Sequence, residues 1–191
     1  MSREAVAYLR AVANSSMADA KKKVDRLVWG KEEMLAHREE QYDEQAKEYI
    51  DTGFVACALG IAELAACSPK DAVMGQSTPE DMQAPRLEGW SATLFTDTCP
   101  LGKKPCKALN FENVASAIMH INDQHSDSWG DCKKQLRAFA KVEETAVRKY
   151  EKSNPYVVTI KYNDEELSMR FPSAERAKGF IIEMRMDFAA V

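Results

Sequence analysis

The sequence predicts a mainly α-helical protein of the α+β class, with a helical body over residues 1–152 and a small β-hairpin-plus-helix unit over residues 155–191. Three observations lead to this prediction. Apolar residues recur at intervals of three and four over much of residues 2–150, which is the spacing of one helix face. Residues 156–171 alternate apolar and polar side chains in two short runs, as strands do. The stretch Ser153-Asn154-Pro155 separates the two regions.

Composition and charge narrow the class of protein. The chain has 191 residues, of which 45% are hydrophobic and 29% are charged, within the range of globular proteins. Its formal net charge of −4 gives no overall attraction to nucleic acid or to an anionic membrane. The longest nearly uncharged run, residues 52–61, is too short to span a bilayer. Without an export signal at the N-terminus, we expect a cytoplasmic protein whose five cysteines are reduced.

The first 50 residues predict a long N-terminal helix. Residues 2–50 contain no proline and a single glycine, Gly30, and their apolar positions follow helical spacing. The pattern fits one helix or two helices bent near Trp29-Gly30. The apolar stripe resembles a coiled-coil seam, although Lys31 and Arg38 interrupt it. The helix therefore either pairs with a second copy in a homo-oligomer or folds back on its own domain.

Three further helices and one irregular segment follow. The run from Phe54 to Cys67 is apolar except for Glu63, which predicts a helix buried on all sides. Residues 68–110 hold five of the seven prolines and are predicted to form an irregular insert. Helices then begin near Asn110 and near residues 127–128, the second ending at about residue 150.

The C-terminal unit is the clearest non-helical element. Residues 156–162 and 167–171 read as two strands around a turn at 163–165, and a helix begins after Pro172-Ser173. Two strands alone are only marginally stable in water. The hairpin must therefore pack on its own helix, on the helical body or on a partner.

Two short motifs resemble those of small uncharacterised helical domains from bacteria and their phages. They are Ala56-Cys57-Ala58-Leu59-Gly60 and Ile121-Asn122-Asp123. Such domains carry a helix of the Cys-Ala-Leu-Gly type and a later helix that ends in an apolar-Asn-Asp turn. The resemblance covers residues 50–145. It implies a phage or bacterial origin, with location in the bacterial or phage-infected cell or in the virion, and it brings no activity with it.

Four residues form the candidate metal site. Cys99 and Cys106 are separated by six residues, and His120 and His125 follow. Two thiolates and two imidazoles are a ligand set that zinc prefers. Against zinc, the cysteine spacing is longer than in common zinc knuckles, and a separation of five does not suit two histidines on one helix face. The alternative is a proline-rich loop with incidental thiols. Cys132 also lies within reach along the chain.

The sequence also contains candidates for a nucleophilic cysteine and for a second kind of metal site. Cys57 or Cys132 could pair with one of the two histidines as a nucleophile, but a thiol inside an apolar helix is inert. The two histidines with Asp123 and Asp127 could hold a divalent ion, although helix capping explains the same residues. There is no Walker motif, dinucleotide fingerprint or HExxH sequence. No catalytic residue and no cofactor are therefore predicted.

The leading hypothesis is a non-enzymatic protein-binding or assembly protein, encoded by a phage and acting as a virion component or as an accessory factor on a host protein. Nine methionines offer adaptable contacts, and an exposed strand edge accepts another strand. The predicted partner is a protein or a second copy, with no specific nucleic acid and no membrane. The alternative is a zinc-dependent enzyme or a zinc-stabilised binding module that uses Cys99, Cys106, His120 and His125.

Overall fold

The computed structural model describes residues 3–24, 26–31, 36–66, 89–96, 98–101, 106, 110–162 and 165–189. The chain divides into two compact units, Met1–Glu144 (unit 1) and Thr145–Val191 (unit 2). The division falls inside the helix Trp129–Ser153. No helix in the described ranges has the length and apolar character needed to cross a membrane.

Unit 1 begins with two helices and a three-stranded sheet. β3 is the central strand, paired antiparallel with β2 and parallel with β1. A β-bulge interrupts the β2–β3 ladder between Glu39 and Glu40. The elements are α1 (Arg3–Asn14), α2 (Met17–Lys21), β1 (Leu27–Trp29), β2 (Ala36–Asp43) and β3 (Glu48–Ala56).

The prediction of a long N-terminal helix is wrong, because residues 27–56 form strands. The signal for the β2–β3 turn is Asp43, whose Oδ1 accepts hydrogen bonds from the backbone amides of Gln45 at 2.7 Å and Ala46 at 3.0 Å. Lys47 then adopts φ of 56°, which no α-helix contains. Glu, Gln and Lys are good helix formers, but propensity is a weak determinant that this turn and the strand pairing override.

The apolar face of α1 lies in the core of its own unit. Tyr8, Leu9 and Val12 are almost fully buried and belong to one cluster with residues of the later helices. Of the two predicted alternatives, folding back on the domain is therefore the one observed. A homo-oligomer formed through a long N-terminal helix has lost its structural basis.

Gly53 is required where the chain before β1 meets β3. Its φ is +111°, and a Cβ added there would lie 2.5 Å from the Cβ of Arg26 and 2.8 Å from its carbonyl oxygen. Arg26 itself has φ of 50°. Any larger residue at position 53 would both adopt a disfavoured conformation and collide with backbone.

The helix α3 (Ala58–Ala66) is buried on all sides over residues 58–64, as predicted, but the predicted start at Phe54 is wrong, because residues 54–56 belong to strand β3. It contributes Leu59 and Ala62 to the core cluster shared with α1, and Ile61 and Leu64 to a second cluster with Leu27 and its neighbours. A helix between two apolar clusters needs apolar residues all round. Of the predicted insert 68–110, residues 68–88 lie outside the described part, whereas 89–96 and 98–101 contain neither helix nor strand.

Two helices complete unit 1, close to their predicted positions. α4 (Val114–Gln124) begins with a capping box, in which Asn113 Oδ1 accepts from the backbone amide of Ser116 and Ser116 Oγ accepts from that of Asn113. α5 (Trp129–Ser153) begins after Ser128, whose Oγ accepts from the amide of Asp131. The predicted break at Ser153-Asn154-Pro155 is the end of α5.

Unit 2 contains the predicted hairpin and helix. β4 (Tyr156–Tyr162) pairs antiparallel with β5 (Glu165–Phe171), and α6 (Ala174–Ala189) follows. The predicted turn residues 163–164 lie outside the described ranges. Phe171 on β5 and Phe180 on α6 pack with ring centroids 5.1 Å apart. The hairpin thus packs on its own helix, and the α+β class is confirmed.

Candidate metal centre

The four residues proposed as metal ligands come together in the fold. The ligand atoms of Cys99, Cys106, His120 and His125 all lie within 4.8 Å of one another. Nε2 of His125 is at the centre, 3.2 Å from Sγ of Cys99, 3.0 Å from Sγ of Cys106 and 3.2 Å from Nε2 of His120. Two sulfur and two nitrogen atoms therefore face one small space.

The end of α4 explains how two histidines five residues apart converge. His120 lies within α4, whereas His125 is its C-cap, with φ of −124° and ψ of 4°. The amide of His125 still donates to the carbonyl of Ile121 at 3.2 Å, and Ser126 Oγ donates to the same carbonyl at 2.8 Å. Because the chain leaves helical geometry at His125, the helix-face argument against this spacing does not apply.

The distances match those around a tetrahedral zinc ion. Bonds of about 2.0–2.1 Å to nitrogen and about 2.3 Å to sulfur place ligand atoms of a regular tetrahedron about 3.3–3.8 Å apart. Three of the six separations are 3.0–3.2 Å, a few tenths of an ångström shorter, and all six are within 4.8 Å. Small side-chain rotations would therefore admit the ion. The set Cys₂His₂ supplies four protein ligands and leaves no position open for a substrate.

An anchored segment carries Cys99 to this point. The carbonyls of Trp90 and Ala92 accept from the amides of Ala115 and Val114, in the first turn of α4, at 3.1 and 3.0 Å. The chain then reaches the opposite end of α4 at Cys99. Segment 89–101 thus satisfies amides that a helix start leaves without partners, and it brings a thiol to the helix end.

Glu143 fixes the middle of the same segment. This carboxylate on α5 is fully buried and accepts from the amides of Phe95 at 2.6 Å and Thr96 at 2.9 Å. A carboxylate that accepts two backbone N–H bonds makes strong, charge-assisted hydrogen bonds. Residues 90–96 are therefore held in place by contacts that do not involve a metal.

Apolar packing orients the histidine on α4. The ring of Phe111 lies 5.4 Å from that of His120 and 6.0 Å from that of Phe139, between centroids. The two imidazoles are 5.0 Å apart in an edge-to-face arrangement. Cys99 and Phe111 are both part of the main core cluster of unit 1. One side of the site is thus closed by the core.

The electrostatics suit a cation. Burial lowers the pKa of His120, with a further contribution from His125 and an opposing one from Asp123, and burial also lowers the pKa of His125. Both rings are thus neutral near pH 7, as metal ligands must be. Burial raises the pKa of Cys99, as does the neighbouring Cys106. A cation would favour the thiolates instead, and the C-terminal end of α4 attracts positive charge.

Asn122 locks the same part of α4 to two other elements. Its Oδ1 accepts from Nε1 of Trp29 at 2.7 Å and from the amide of Ala58 at 3.0 Å, while its Nδ2 donates to the carbonyl of Gly30 at 3.0 Å. The side chain also donates to Asp123 at 2.9 Å. It therefore joins the end of β1 and the start of α3 to the helix that bears both histidines.

The remaining candidate residues have other roles. Cys57 and Cys132 are buried, and burial raises the pKa of each thiol to about 11. Such thiols are poor nucleophiles. Asp127 is almost fully exposed and pairs with Lys31 at 3.2 Å. Asp123 accepts from the side chain of Asn122. Among the described residues, the group of three or more potential metal ligands whose ligand atoms converge is the Cys₂His₂ group.

Sequence reasoning missed Glu143 as a structural anchor. On α5 the apolar Val142 is 40% exposed, while Glu143 beside it is fully buried. The signal was the spacing: Leu136, Phe139 and Val147 place position 143 on the buried face. A carboxylate at such a position indicates a buried hydrogen-bonding role.

Comparisons with known proteins found no relative. No family model matches the chain, and neither the curated proteins nor the solved structures include one that matches it. The geometry of the site therefore carries the functional argument.

Proposed function

We propose that this protein is a zinc-stabilised, non-enzymatic binding module, with one Zn²⁺ held by Cys99, Cys106, His120 and His125. The observation that carries the proposal is the convergence of the four ligand atoms within 4.8 Å. Tetrahedral S₂N₂ sites are typical of zinc. Sites with four protein ligands are structural, whereas catalytic zinc keeps an open position. The proposal therefore favours a structural ion over the zinc-dependent enzyme.

The role of the ion follows from where its ligands lie. Two ligands come from the irregular segment and two from the end of α4, so the ion joins a loop to a helix. When zinc binds only to the folded state, its binding free energy adds to the stability of that state. A structural zinc therefore stabilises the arrangement of loop and helix that it bridges. We expect unit 1 to depend on zinc for its stability.

The test is the metal content of the purified protein. After passage over a chelating resin, elemental analysis should find one zinc per chain in the wild type. The Cys99→Ser and His125→Ala variants should lose it. Asp127→Asn is the matched control, because Asp127 belongs to the alternative oxygen-ligand site and is exposed. Wild-type protein without zinc, or zinc lost on changing Asp127, would refute the proposal.

The binding surface is proposed to lie on unit 2. Of the ten exposed large apolar side chains in the described residues, six lie in this unit of 47 residues: Tyr150, Tyr156, Val157, Leu167, Ile181 and Ile182. Those that share one face of the hairpin or of α6 could contribute to a contact surface. Sedimentation velocity of the wild type and of Leu167→Lys at rising concentration tests whether this surface mediates self-association. An oligomer of the wild type that the variant does not form would support the proposal. A wild type that stays monomeric at all concentrations would contradict it. Phage or bacterial origin stays a prediction.

A further inference from the structure

The four ligands divide into two chemically different pairs. Both thiols come from the irregular segment, and both imidazoles come from the end of α4. Any reaction that consumes the thiols together would leave the ion with two histidines. Two neutral ligands hold zinc far less well than four ligands of which two are anionic.

The two sulfur atoms are close enough to react with each other. Both contact the same nitrogen of His125, and they lie within 4.8 Å of one another. A disulfide requires a separation of about 2.0 Å. Six residues separate the two cysteines in the sequence, so the disulfide would close a short ring of chain. Cys106 is partly exposed, and solvent reaches the pair through it.

The other described cysteines are protected. Cys57 is 1% exposed and Cys132 is fully buried, both within the main core cluster of unit 1. Solutes that react with thiols reach them only after unfolding. Among the described cysteines, Cys106 is therefore the thiol that a solute reaches in the folded protein, and Cys99 is the thiol next to it.

We propose that the zinc site is a redox switch, in which a peroxide converts Cys99 and Cys106 to a disulfide and releases the ion. This inference rests on the proposed zinc binding and adds a mode of regulation to it. The ion itself keeps its oxidation state throughout, because the two sulfur atoms supply the electrons.

The reaction balances with hydrogen peroxide as oxidant. The exposed thiolate attacks one peroxide oxygen, the O–O bond breaks, and a sulfenic acid forms while hydroxide leaves. The second thiolate then attacks the sulfenic sulfur, the S–S bond forms, and the S–O bond breaks to release a second hydroxide. Two thiolates, one peroxide and two protons thus give one disulfide and two waters.

The structural consequence is confined to one end of the segment. The hydrogen bonds at Trp90, Ala92 and Glu143 do not involve the ion, so residues 90–96 stay anchored. Cys99 and Leu101 keep their packing in the core cluster, but the metal link from Cys99 to α4 is lost. The metal joins the segment to the helix, whereas the disulfide joins two residues of the same segment, so oxidation removes this link between segment and helix.

The test treats the zinc-loaded full chain with a small excess of hydrogen peroxide. A chromogenic zinc chelator measures release, and peptide mapping locates disulfides. We expect one zinc released per chain, a Cys99–Cys106 disulfide, and recovery of zinc binding after a thiol reductant and Zn²⁺ are added. Cys57 and Cys132 should remain free thiols that become alkylated only after denaturation.

Variants that lack one of the protected thiols provide the controls. Cys57→Ala and Cys132→Ala should bind zinc and release it at the peroxide dose that empties the wild type, since neither thiol takes part in the disulfide. Zinc retained by the oxidised wild type, a disulfide involving Cys57 or Cys132, or release without any disulfide would overturn the inference. Protein that holds no zinc before oxidation would instead contradict the proposed function.

Discussion

Replacement of Asn122 by alanine tests the hydrogen-bond network that positions α4. The change removes the acceptor of Trp29 Nε1 and of the Ala58 amide, and the donor to the Gly30 carbonyl. Ala58 is fully buried, whereas the other two residues are half-buried. A buried unsatisfied group costs about 1–3 kcal/mol, and a half-buried one recovers part of this from water. The sum is a loss of about 2–4 kcal/mol in the free energy of unfolding.

Urea denaturation followed by tryptophan fluorescence measures this loss. All three tryptophans lie in unit 1, so the signal reports on the unit that contains the network. The midpoint should fall while the dependence on urea concentration is unchanged. Gln124→Ala, an exposed position of the same helix, should change the free energy by less than about 0.5 kcal/mol. Equal effects of the two variants would refute the reasoning.

Three further changes probe the rest of the fold. Glu143→Gln places an amide donor against a backbone N–H and should lower the free energy of unfolding, measured by urea denaturation, by about 1–3 kcal/mol. Glu144→Gln, at a partly exposed ion pair, should lower it by less than about 1 kcal/mol. Equal losses in the two variants would contradict the anchoring role of Glu143. Gly53→Ala should lower the thermal midpoint or prevent folding, because the added Cβ collides with Arg26. Gly179→Ala, with open space around its position in α6, should raise the free energy of unfolding by up to about 1 kcal/mol. An unchanged thermal midpoint in Gly53→Ala would contradict the close contact there. Burial raises the pKa of Cys57 and that of Cys132 from 9.0 to about 11, so each thiol keeps in the folded state a proton that it loses in the unfolded state. Each should contribute about 2–3 kcal/mol to a fall in the free energy of unfolding as pH rises from about 9 to about 11, and a fall in Cys57→Ala as large as that of the wild type would contradict this cause.

The C-terminal half of the fold could be predicted because its local signals agree. Alternation in residues 156–162, turn residues and a following helical stripe all indicate the same hairpin and helix. The capping residues Asn113 and Ser128 likewise mark the starts of α4 and α5. Where propensity, periodicity and end signals coincide, a single sequence suffices.

The β2–β3 hairpin could not be predicted from the same reasoning, because its composition favours a helix. Residues 36–48 are rich in Glu and Gln, and strand formation here depends on pairing along β3 rather than on local preference. The decisive local feature is the turn at Asp43, which a window of helical spacing does not register. Gly53 marks a close approach between β3 and the chain before β1, which also depends on contacts distant in sequence.

The ligand set of the candidate site could be predicted from residue type, but not from spacing. Spacing argued against His120 and His125 as partners, because it assumed that both lie on one continuous helix. The helix ends at His125, and that end is what lets both nitrogens face the same point. The anchoring of Cys99 through Glu143 depends on contacts between residues nearly fifty positions apart, which no local pattern contains.

X-ray absorption at the zinc edge tests the central claim most directly. The account predicts a first shell of two sulfur atoms at about 2.3 Å and two nitrogen atoms at about 2.0–2.1 Å, with the outer-shell scattering of two imidazoles. Cys99→Ser should abolish zinc binding and with it the signal at the zinc edge. A shell of nitrogen and oxygen alone, or one that contains a bound water in place of a protein ligand, would contradict a closed Cys₂His₂ site.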